Sequence, residues 1–72
     1  MVKVTALFND GSRFERVYPD SFMADAQRMN AQGRCGSEIV AALIENDWRE
    51  PPLFVDVIKD EGMPGGTSLR LW

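Results

Sequence analysis

The groups best able to do chemistry in this chain sit together in Gly33-Arg34-Cys35-Gly36-Ser37. An apolar run follows that reads as a helix. Its first-turn amides, the Arg34 guanidinium and two glycines allowing close approach would suit an anion. The same setting would favour a reactive Cys35 thiol. The plainer reading is preferred, because no second ligand group lies nearby in the chain. It is an interhelical turn in which the glycines permit the bend, Ser37 caps the next helix and Cys35 is a small inert filler. Arg34, Gly36 and Ser37 stand as the candidate anion-binding groups. A second stretch, Gly62-Met63-Pro64-Gly65-Gly66-Thr67, is a flexible loop by composition, able to cover a small ligand or to serve as a connection only.

Other chemistry lacks its reagents. The chain has no histidine and one cysteine, which removes the usual general base, the commonest metal ligand, an internal disulfide and a structural zinc site. There is no phosphate-binding, dinucleotide or nucleophile-elbow motif, and the carboxylates are scattered. The expectation is a non-enzyme with no cofactor and no metal.

The elements that must position these residues can be read in order. Val2–Phe8 alternates as a strand, and Asn9-Asp10-Gly11 is a turn signal. A two-residue loop would place Arg13 and Glu15 beside Val4, Ala6 and Phe8. A three-residue loop with Gly11 left-handed places Phe14 and Tyr18 there, and is chosen because it builds one apolar face. Pro19 ends the second strand; Asp20 or Ser21 caps a helix to about Gln32, with Phe22, Met23, Ala26 and Met29 inward and Gly33 closing it. Ser37–Trp48 is the clearest helix, with Ile39, Val40, Leu43, Ile44 and Trp48 on one stripe. Pro51-Pro52 stops it. Leu53–Lys59 is a third strand with Leu53, Val55 and Val57 inward. Ser68–Trp72 is a short fourth, with Leu69 and Leu71 inward. The order is ββααββ: one α+β domain over residues 1–72, two antiparallel hairpins forming a sheet with a helical pair packed on one face.

The net charge is −3, which opposes binding to a phosphate backbone. The two helices meet at a glycine-containing turn, but the outward residues of the second are Glu38, Glu45, Asn46 and Asp47, so no DNA contact is expected. Lys3, Arg13 and Arg16 read as a solvated sheet face balanced by Glu15. No segment approaches the roughly 20 apolar residues of a membrane span, and the amino-terminal stretch does not read as a signal peptide. The expected location is cytoplasmic.

The apolar surplus is more informative. Leu7, Val17, Phe54, Ile58 and Trp72 fall on the sheet face away from the helices, a larger patch than solitary surface apolars make. They are the expected partner-binding residues, for a protein partner or for self-association as a homodimer; short terminal strands would add free edges. The function read from this is a protein-protein interaction module, an adaptor or an inhibitor of a larger complex of phage or mobile-element type. The alternative is an oligomeric binder of a small anionic ligand such as a nucleotide.

Overall fold

A computed structural model describes residues 1–44, 48, 50–60 and 62–72. Six elements follow in the expected order: β1 (Val2–Leu7), β2 (Arg13–Tyr18), α1 (Ser21–Ala31), α2 (Gly36–Leu43), β3 (Phe54–Lys59) and β4 (Thr67–Arg70). The strands form one four-stranded sheet in the order β2-β1-β3-β4. Every neighbouring pair is antiparallel. The helices pack on one face. The first strand in sequence therefore lies in the interior of the sheet, and the free edges belong to β2 and β4 rather than to both terminal strands.

The first hairpin has the three-residue loop. Phe8 and Ser12 close it through Phe8 N–H donating to Ser12 O at 3.0 Å, and Gly11 N–H donates to Phe8 O at 3.0 Å. Gly11 has φ +86, a conformation that costs a residue with a Cβ but not glycine. Asp10 fixes the loop from outside, its carboxylate accepting from the N–H of Ser12 at 2.9 Å and from its hydroxyl at 2.6 Å. The resulting register sets Val2 opposite Tyr18, Val4 opposite Arg16 and Ala6 opposite Phe14. The inward set is the one expected, joined by Arg16 on the same side of β2.

The helix boundaries depart from the expectation at the start of α1 and at both ends of α2. α1 ends in a Schellman closure, with Arg34 N–H donating to Met29 O, Gly33 N–H donating to Asn30 O and Gly33 at φ +82. At its start, however, Asp20 makes no side-chain capping bond; its carboxylate pairs with the amino-terminal ammonium at 2.7 Å. α2 begins one residue before Ser37, and its N-cap is Cys35, again with no side-chain capping bond. The Ser37 hydroxyl instead lies 3.0 Å from the Cys35 sulfur. Cys35 is exposed, so it fills no core space. The α-helix ends at Leu43 with Ile44 as C-cap. The expected outward residues Glu45, Asn46 and Asp47 lie outside the described residues.

The core is one cluster between sheet and helices: Val2, Val4 and Ala6 of β1, Val55 and Val57 of β3, Leu71, the four inward residues of α1, and Ile39, Val40 and Ile44. Leu43 and Trp48 pack at its margin, half-buried. Trp48 meets the rings of Phe8 and Phe14 edge-on, at 5.2 and 5.3 Å between centroids. Tyr18 stacks on Phe22 at 4.5 Å. Leu53 does not join the core and is 54% exposed. Its N–H donates to Leu7 O at 2.7 Å, although the ladder partner of Leu7 is Phe54. The extra residue at the strand entrance breaks the alternation, and Pro52 is buried instead.

Candidate interaction surface

Register places the outward side chains of the sheet in rows. Val17, Lys3, Ile58 and Ser68 cross it near one end; Glu15, Thr5, Asp56 and Arg70 cross the middle; Arg13, Leu7 and Phe54 cross the other end. The middle row is a polar belt. Arg70 Nε donates to Asp56 Oδ1 at 2.7 Å and its Nη2 to Oδ2 at 3.2 Å. Lys3 joins the belt by pairing with Glu15 at 3.2 Å. The guanidinium of Arg70 also covers the Phe54 ring at 5.0 Å. Leu7, Phe54 and Ile58 are half-buried by these neighbours, while Val17 is 55% exposed. The outer face thus carries two apolar ends separated by ion pairs. Among the described residues no element covers it, and the thinnest dimension, 16 Å, leaves room for the sheet and a single helical layer.

Trp72 does not belong to that face. β4 ends at Arg70. Beyond it Leu71 N–H donates to Val55 O at 2.9 Å and Val55 N–H to Trp72 O at 3.4 Å, so two residues oppose one. That slip turns the next side chain to the other side of the sheet. Trp72 lines a shallow hollow of about 160 Å³ with Ser37, Val40 and Ala41 of α2, Trp48 and Pro52. Four of the five expected contact residues therefore share a face, and the fifth sits beside α2.

The two halves of the anion reading do not meet. Gly36 and Ser37 lie where α2 starts, beside Leu71 and Trp72 past the end of β4, and Arg34 precedes them in the link from α1. The 62–67 loop lies at the start of β4, against Ile58 and Lys59. The close approach that Gly36 permits is already taken: a Cβ there would stand 1.7 Å from the Leu71 carbonyl oxygen. Nor do Arg13 and Arg16 share the solvated face expected of them. Arg13 is on the outer face, while Arg16 turns inward and covers the Phe14 ring at 5.1 Å. Among the described residues there is no group of three or more side chains able to hold a metal ion, and no helix is long and apolar enough to cross a membrane.

Edge strand β2 is the feature that the sequence reading missed. In an antiparallel ladder, bonded and non-bonded pairs alternate. Phe8 bonds Ser12, so Phe14, Arg16 and Tyr18 turn their backbone groups to β1. Arg13, Glu15 and Val17 turn theirs away from the sheet. The strand is six residues long and contains no proline. Edge strand β4 has four residues and runs into the bulge. The signal for this contrast was the β1–β3 pairing, which joins residues distant in sequence.

These observations define an α+β protein with a helical pair on one face of a four-stranded antiparallel sheet. No family model matches the chain, and no curated protein or solved structure is significantly similar to it.

Proposed function

We propose that this chain is a small protein-interaction module whose uncovered sheet face receives a protein partner. The observation that carries the reading is the outer face of β1 and β3, where Leu7, Phe54 and Ile58 remain half-exposed beside exposed Val17 and, among the described residues, no second layer lies over them. Covering an aliphatic side chain fully contributes roughly 1.5–3 kcal/mol. The ion-paired belt between the two apolar ends would set the orientation of a partner more than its affinity. An adaptor, or an inhibitor of a larger complex of the kind phages and mobile elements carry, would use such a surface. The anionic-ligand alternative has less support, since its two candidate halves lie at opposite ends of β4.

The test is substitution on that face. Ile58→Asp should leave the circular dichroism spectrum unchanged and abolish retention of proteins that the unaltered chain captures from host extract. The same captured set on a folded Ile58→Asp and on a folded Val17→Asp would refute the reading.

A further inference from the structure

The uncovered face is one open surface; the edge of β2 is another, and its charges carry an inference that does not depend on the first. An edge strand with free backbone groups is a template for another strand unless something blocks it. β4 is blocked by its shortness and its bulge, whereas β2 is regular over Arg13–Tyr18. Its inner side is only partly covered among the described residues: Arg16 is exposed, with Phe14 and Tyr18 half-buried.

The order of charges on β2 then selects the strand. If a second copy pairs antiparallel about a two-fold axis, the residue on the axis fixes the register. An axis at Arg13, Glu15 or Arg16 sets that residue against its own copy, and like charges directly opposite are destabilising. An axis at Val17 or Tyr18 runs the pairing into Pro19, which has no N–H to give. An axis at Phe14 does the reverse. It sets Arg13 opposite Glu15 of the second copy and Glu15 opposite Arg13. Both are residues whose backbone groups point outward, so each pair exchanges both of its backbone bonds. The two Phe14 rings meet across the axis on the inner side, extending the cluster in which Phe14 already touches Trp48 at 5.3 Å. Arg16 falls opposite the small Ser12. Arg13 has no ion-pair partner among the described residues, and the carboxylate of Glu15 needs only to accept a second donor besides Lys3.

We propose that the chain associates with a second copy of itself by antiparallel pairing of the β2 edges about Phe14, held by reciprocal Arg13–Glu15 pairs. The two sheets become one sheet of twice the width, with both helical layers on the same side and the two uncovered faces continuous.

Sedimentation equilibrium over a range of protein concentrations tests this with charge swaps. The unaltered chain should give a dimer. Arg13→Glu and Glu15→Arg, both at exposed positions, should each weaken the dimer about tenfold or more. An equimolar mixture of the two variants should regain dimer mass, because every facing pair is again of opposite charge. Ile58→Asp, on the uncovered face, should leave the dimer intact. The proposal is overturned if the unaltered chain is monomeric throughout, if neither single swap changes the mass, or if the mixture of folded variants stays monomeric. A dimer lost in Ile58→Asp but kept in both swaps would also overturn it, and would place self-association on the uncovered face instead.

Discussion

At Gly36 the packing of two distant segments depends on the absence of a methyl group. Alanine is the better helix former by roughly 0.8–1 kcal/mol, and Gly36 opens α2 without a positive φ, so a helix considered alone would gain from Gly36→Ala. The built Cβ, however, would stand 1.7 Å from the carbonyl oxygen of Leu71 and 2.8 Å from its carbon. Backbone cannot yield there as a flexible side chain would, and overpacking costs typically about 1–3 kcal/mol. The expected outcome of Gly36→Ala is therefore net destabilisation, read as a lower urea midpoint with an unchanged slope. The same contact explains why the start of α2 was misread. Ser37 is the stronger capping residue by type, but the helix begins where Leu71 can approach it, and that approach joins residues half the chain apart.

Single elements were more legible, because their signals are local. Asn9-Asp10-Gly11 fixed the length of the hairpin loop, and with it every inward residue of β1 and β2. Gly33 likewise fixed the end of α1. Leu53 and Trp72 were placed on the wrong sides for a shared reason: each sits where an extra residue interrupts the ladder, and nothing in their types announces a bulge. The β2 edge was invisible for a different reason, since strand order is a property of pairing rather than of pattern. The hairpin loop carries its own pH signature. Bonds from the Ser12 hydroxyl, and then from its N–H, hold the Asp10 carboxyl below its ordinary value of 3.8. A carboxyl depressed by folding adds stability above its unfolded value and loses it as the pH falls through the folded one. Carbon-detected titration of Asp10 by nuclear magnetic resonance should give a midpoint under 3.8, and Ser12→Ala should raise it.

For the whole molecule, the consequence of a single helical layer is a core with little to spare. Among the described residues the largest side chain that is fully enclosed is Ile39 of α2, a member of the core cluster. Truncating a buried isoleucine to alanine costs about 2–5 kcal/mol, against a total of about 5–15 kcal/mol for domains in general and the lower part of that range for a chain this short. Ile39→Ala should therefore lose most of its cooperative thermal transition, as followed by far-ultraviolet circular dichroism. Which residues share the uncovered face was readable from alternation; that four of them do so around an ion-paired belt required the register of all four strands.

The position of β1 in the middle of the sheet also has a consequence in time. Its pairing with β2 needs only a three-residue turn, and hairpins of that kind close in microseconds. Its pairing with β3 must wait for a strand that lies beyond both helices, and contacts so far apart along the chain form slowly. During synthesis, then, β1 and β2 leave the ribosome ahead of β3, and until β3 follows one side of β1 has no strand to bond. Lys3, Thr5 and Leu7 present their backbone groups there until Phe54–Lys59 leaves the ribosome. The vulnerable moment in the life of this protein is that interval, when the future centre of the sheet is still its rim.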